Sequence, residues 1–197
     1  MIIPSILEKT TADFAHKLAK IKTIGKVPRV QVDFCDELFV PSHTLQVEDI
    51  GHVPKLDKAE WEAHIIVHYE SFPEERDLEE ALEAITELGM KPGIAISPET
   101  YVSTVRYFTD TIKHFTILSV EPGKQGNPFL PQTYDRVKTL REMAPNAIIE
   151  VDGGVNASNA GALIASGADY LVVGSALFET ENIKQNYQQI ESAGTTV

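Results

Sequence analysis

Short apolar runs alternate with amphipathic stretches along the whole chain. Residues 2–7, 29–34, 63–69, 91–96, 115–120, 147–151 and 170–173 are brief runs rich in Ile, Val, Leu and Phe. Runs of this kind read as strands buried on both faces. The segments between them have helical period. Phe14, Leu18 and Ile21 share one face of 11–22, and Leu78, Leu82, Ile85 and Leu88 form a stripe along 74–88 that Gly89 ends. Val102, Val105 and Phe108 mark another helix, followed by 131–143, a stretch through Leu163, and a final helix carrying Ile183, Tyr187 and Ile190. Alternation of strands and helices predicts a parallel sheet covered by helices. Between 39 and 63 the pattern lapses. Leu45-Gln46-Val47 has the makings of a short strand and 55–61 of a shortened helix, but a full strand–helix–strand unit needs roughly 30 residues. No linker or repeat interrupts the chain, so one domain over 1–197 is expected.

Composition narrows the function. Apolar residues make up 43% and charged residues 23% of the 197 positions, as in a globular protein. No apolar run approaches the roughly 20 residues of a membrane span. The first residues lack the basic-then-apolar pattern of a secretory leader. Cys35 is the one cysteine, which excludes an internal disulfide. These features predict a cytoplasmic protein without a membrane partner. The formal net charge is −12 and the basic residues form no block, which argues against nucleic acid. An acidic protein that binds phosphate must do so locally, through backbone N–H groups.

The candidate chemistry lies at strand ends. The run 147–151 leads into Asp152-Gly153-Gly154, and Leu171-Val172-Val173 leads into Gly174-Ser175. A carboxylate beside glycine-lined turns suits a phosphorylated substrate whose carbon-bound proton is moved. Asp33 ends the second strand. Taken singly, either aspartate also fits a turn-capping role, and the glycines fit ordinary tight turns.

In order along the chain stand Pro4-Ser5-Ile6-Leu7, Val32-Asp33 with Asp36 and Phe39-Val40-Pro41, Val67-His68-Tyr69-Glu70, Glu121-Pro122-Gly123, Val151-Asp152-Gly153-Gly154-Val155-Asn156 and Gly174-Ser175-Ala176-Leu177-Phe178. Together they resemble the ribulose-phosphate 3-epimerase family over nearly the whole length. The resemblance implies an α/β fold, a (β/α)8 TIM barrel of ribulose-phosphate-binding type. A compressed or missing unit is expected between strands 2 and 4, and the site at the C-terminal strand ends. It implies interconversion of D-ribulose 5-phosphate and D-xylulose 5-phosphate, with Asp33 and Asp152 exchanging the proton at C3. Ser5, Gly123, Gly126, Gly153, Gly154, Gly174 and Ser175 become the residues expected to bind substrate and phosphate, with Lys124 in the loop that closes over them.

The resemblance also implies a divalent metal (Zn, Mn, Fe or Mg) held by two histidines and the two aspartates. Here Gln31 stands where one histidine is expected. No His-x-Met supplies the other, and His43, His52 and His64 do not match it. The expectations are therefore a metal on Asp33 and Asp152 assisted by Gln31, or no metal. His68 matches a position that is not a ligand and is expected to be a hydrogen-bonded rim residue. Cys35 is expected to pack as a small hydrophobe, and Trp61 to lie in the core or an interface. A homo-oligomer would cover the compressed side. Two other readings are a non-catalytic descendant that binds a sugar phosphate or a protein, and an isomerase of another sugar phosphate.

Overall fold

The structure is a computed structural model that describes residues 1–33, 44, 64–122 and 126–195. The described residues form seven parallel strands: β1 Ile2–Ile6, β2 Gln31–Val32, β3 His64–His68, β4 Lys91–Ile96, β5 His114–Leu118, β6 Ile148–Asp152 and β7 Tyr170–Val173. They stand in the order β2-β1-β7-β6-β5-β4-β3. From β3 to β7 each strand lies beside its predecessor, and the chain's last strand pairs with its first, Ile3 opposite Val172. That order belongs to a sheet curling round on itself, the α/β barrel class expected. Leu45-Gln46-Val47, the 55–61 helix, Cys35 and Trp61 fall outside the described residues.

Among the described residues six α-helices accompany the sheet: α1 Thr11–Ile24, α2 Glu75–Glu87, α3 Thr133–Met143, α4 Ala160–Ala165, α5 Ser175–Phe178 and α6 Ile183–Thr195. Thr10 starts α1 by accepting a hydrogen bond from the Asp13 N–H at 3.1 Å. The helices cover one face of the sheet. Ile94, Ile96, Phe115, Ile117, Ile149 and Val151 are buried there with Leu78, Leu82, Val137, Leu140 and Leu163. Each such side chain contributes about 1.5–3 kcal/mol when fully buried. Among the described residues no helix is long and apolar enough to cross a membrane.

Three expectations are corrected. Strands β1 and β7 are apolar on both faces, but β5 and β6 are not. Period two places Glu150 and Asp152 opposite Ile149 and Val151, and His114 and Thr116 opposite Phe115 and Ile117. The inner face is mixed: Ile3, Leu118 and Val172 share it with Ser5, Thr116, Glu150 and Asp152. Leu88 does not join the stripe of α2, because the helix stops at Glu87 and Leu88 is 73% exposed. Val102–Phe108 is a 3-10 helix. Val102, Val105 and Phe108 recur every three residues, which aligns them on one face of a helix with three residues per turn.

The contact between β2 and β6 fixes the curl. These strands are three steps apart in the sheet, about 14 Å if it were flat at roughly 4.8 Å per step. Yet Gln31 reaches the Asp152 carboxylate at 2.9 Å across the inner face. Leu140 on α3 is fully buried in the outer core. Leu140→Ala is expected to cost about 2–5 kcal/mol in urea unfolding; an unchanged midpoint would mean that this core is not packed as described.

Candidate functional site

The site forms where β1, β2 and β6 end. Ser5 lies opposite Gln31 in the β1–β2 register. Its hydroxyl donates to Asp33 Oδ2 at 2.6 Å. The Asp33 N–H donates to the Ile6 carbonyl at 3.1 Å, extending the pairing past β2. Nε2 of Gln31 donates to Asp33 Oδ1 at 2.8 Å and to Asp152 Oδ2 at 2.9 Å. One amide thus bridges the two carboxylates. Its nitrogen faces them, so both amide hydrogens meet a carboxyl oxygen.

Burial and charge act on this pair in the same direction. Burial pushes the Asp152 carboxyl well above the ordinary carboxylate range, and the negative charges of Asp33 and Glu150 add to it. Asp33 is also raised, chiefly by burial. The hydrogen bonds from Ser5 and Gln31 pull it back, Glu150 raises it further, and His68 lowers it. His68 is held below the usual histidine value by burial, against the pull of Glu70 and Asp33. Its Nδ1 lies 4.0 Å from Glu70 Oε2.

The turn after β6 is pinned from three sides. The Ser119 hydroxyl donates to the carbonyls of Asp152 and Gly153 at 2.9 and 2.5 Å. The side-chain amides of Asn156 and Asn159 donate to the Gly154 carbonyl at 3.1 and 3.0 Å. Gly153 has φ +112°, and a Cβ there would sit 2.5 Å from a Val120 methyl; Gly154 has φ +63° and backs onto Phe129. Packing and backbone conformation therefore require both glycines whether or not a ligand binds. Gly174 precedes α5 and Ser175 opens it. Ser175 lines a cleft with His16, Lys17 and Lys20 of α1. Gly126, with φ +88°, turns in the open. Gly123, Lys124 and Gln125 of the expected closing loop lie outside the described residues, as do His43 and His52.

Two groups escaped sequence reasoning. Glu150 is buried one pleat below Asp152, where it accepts from the Thr116 hydroxyl at 3.0 Å and faces His114 Nε2 at 3.4 Å. A lone acid inside an apolar strand was the available signal. The second is Ser119, fully buried at the end of β5 and hard to distinguish in sequence from any small strand residue.

Among the described residues, those around the two carboxyl groups are a poor fit to the metal expected there. The point between Asp33 and Asp152 faces N–H groups of Gln31, not a lone pair. Among the described residues no group of three or more His, Cys, Asp or Glu could hold a metal ion.

Comparison with known proteins follows the same line. The family model described as the ribulose-phosphate 3 epimerase family matches residues 53–178, more than half of the chain. Ribulose-phosphate 3-epimerase of Escherichia coli (strain K12) is 30% identical over 217 residues, covering 98% of this chain and 95% of its own. The protein of that name from Helicobacter pylori is 27% identical, covering 93% of each. A crystal structure of 3-hexulose-6-phosphate synthase superposes with a TM-score of 0.62 at 13% identity over 98% of this chain and 99% of its own, which shows a shared fold.

The raised Asp152 carboxyl makes a pH-dependent demand on stability. Its protonated form is the one the fold favours. That contribution is complete below the ordinary carboxylate value and is lost as pH rises through the higher folded value. Asp152→Asn is therefore expected to be more stable than the parent at pH 8, with the difference shrinking towards pH 4 in urea titrations. Parallel pH profiles would contradict this.

Proposed function

Because the chain belongs to the ribulose-phosphate 3-epimerase family, we propose that it interconverts D-ribulose 5-phosphate and D-xylulose 5-phosphate by moving the proton at C3. One observation carries the reading: Gln31 brings the carboxylates of Asp33 and Asp152, from strands far apart in the sheet, to a single nitrogen.

An epimerisation beside a carbonyl needs a base on one face of the carbon and an acid on the other. In the proposed reaction one carboxylate takes the C3 proton. The C–H electron pair becomes the C2–C3 double bond, and the carbonyl pair moves onto O2. The second carboxyl then delivers a proton to the opposite face of C3 as the carbonyl re-forms. Two buried carboxylates that repel each other favour the form with one proton between them, which is the form with one acid and one base. Ser5 holds Asp33 in place. The phosphate end of the substrate falls to the adjacent turns after β6 and β7, at Gly153, Gly154, Gly174 and Ser175. The pinning of the first turn by Ser119, Asn156 and Asn159 supports a preformed site there.

Incubation with D-ribulose 5-phosphate in D2O is expected to place deuterium at C3. Asp33→Asn and Asp152→Asn are each expected to lower that rate about 10²–10⁴-fold, with Asp152→Asn still binding the sugar phosphate. Full exchange in either variant would overturn the acid/base assignment. Binding without exchange in the parent would favour a non-catalytic sugar-phosphate binder. Ser175→Asp sets a carboxylate against the phosphate and is expected to raise KM about tenfold or more with kcat retained. An unchanged KM would move the phosphate elsewhere.

A further inference from the structure

A group that bridges two carboxyl groups from one side presents positive charge to both. A divalent cation does this with lone pairs converging on it. The Gln31 side chain does it with two N–H groups on one nitrogen, one directed to each aspartate at 2.8 and 2.9 Å. These are hydrogen-bond lengths, and they use both amide hydrogens. A glutamine binds a metal only through its carbonyl oxygen. To serve an ion here the amide would have to turn over, lose both bonds and aim its nitrogen away. Zinc prefers nitrogen and sulfur ligands, usually four; two carboxylates and one neutral amide oxygen are a poor set for it. Among the described residues no third His, Cys, Asp or Glu completes a group.

We propose that Gln31 stands in for a divalent cation in this chain: its amide bridges the two carboxylates, and the proton transfer between them runs without a bound metal. Gln31 is then a positioning residue that acts through Asp33 and Asp152. The catalytic half of this inference rests on the epimerase reading; the binding half does not.

The test uses the full chain after dialysis against EDTA, titrated with Co2+ by calorimetry and by thermal unfolding, beside Gln31→His and Gln31→Leu. The parent is expected to take up no stoichiometric Co2+, to keep its Tm, and to exchange deuterium at C3 equally with and without EDTA. Gln31→His puts an imidazole lone pair between the carboxylates and is expected to bind one equivalent and gain Tm. Gln31→Leu is expected to lower kcat about 100-fold with little change in KM. One equivalent of Co2+ on the parent, or exchange that EDTA abolishes and Co2+ restores, would overturn the proposal. So would a Gln31→His variant that binds nothing, because residue 31 would then not occupy the cation's place, or a Gln31→Leu variant with parental kcat. If the parent exchanges no deuterium under any condition while the Co2+ results come out as expected, the epimerase reading falls and the metal-free bridge stands.

Discussion

Two acidic side chains, Asp33 and Asp152, are kept together at the mouth of a curled sheet, and much of the molecule's arrangement follows from holding them there. Burial and mutual repulsion both oppose a second charge on the pair. The forces that hold it are local and directional: Ser5 on one oxygen of Asp33, and the Gln31 amide across to Asp152. Because β2 and β6 are separated in the sheet by β1 and β7, this bridge exists only if the sheet curls. The outer core supplies the stability that such an inner face consumes. Its Ile, Val, Leu and Phe side chains are packed under the helices with almost no exposure.

Below the pair the inner face carries polar groups from β3, β5 and β6. Glu150 takes a hydrogen bond from Thr116 and faces His114, and His114 in turn meets His64, nitrogen to nitrogen at 3.4 Å. Charge buried at this depth is costly unless partnered. Here each charged group has a polar neighbour on the next strand, and Glu150 lends its negative charge to the environment of both aspartates. A face that is expensive to build and that raises two carboxyl groups together suits the proton transfer proposed above.

The outer half of the fold was legible in the sequence because it obeys hydrophobic periodicity. Ile149 and Val151, Phe115 and Ile117, and the stripe of Leu78, Leu82 and Ile85 announce themselves by spacing. The inner half was not, since its residues interrupt the apolar runs singly: Gln31, His114, Glu150. Each looks like an exception until the strands are placed side by side. Asp33 and Asp152 were found through their positions at strand ends and through the ordered motifs. Gln31 was noticed only as a departure from a histidine, because an amide's role depends on which of its two ends faces the partner. Gly153 and Gly154 were noticed for a ligand, while the structure shows Val120 and Phe129 filling the space a Cβ would need. A turn can require glycine for its own packing and still offer its backbone to an anion.

In the proposed reaction Asp33 and Asp152 act as one unit sharing a proton. The most direct measurement is a 13C NMR titration of the aspartate carboxyl carbons, assigned with Asp33→Asn and Asp152→Asn. The account predicts two coupled steps, with Asp152 ionising above the ordinary carboxylate range and Asp33 moving when Asp152 is replaced. Independent ionisation of both groups in the ordinary range, each indifferent to loss of the other, would contradict it.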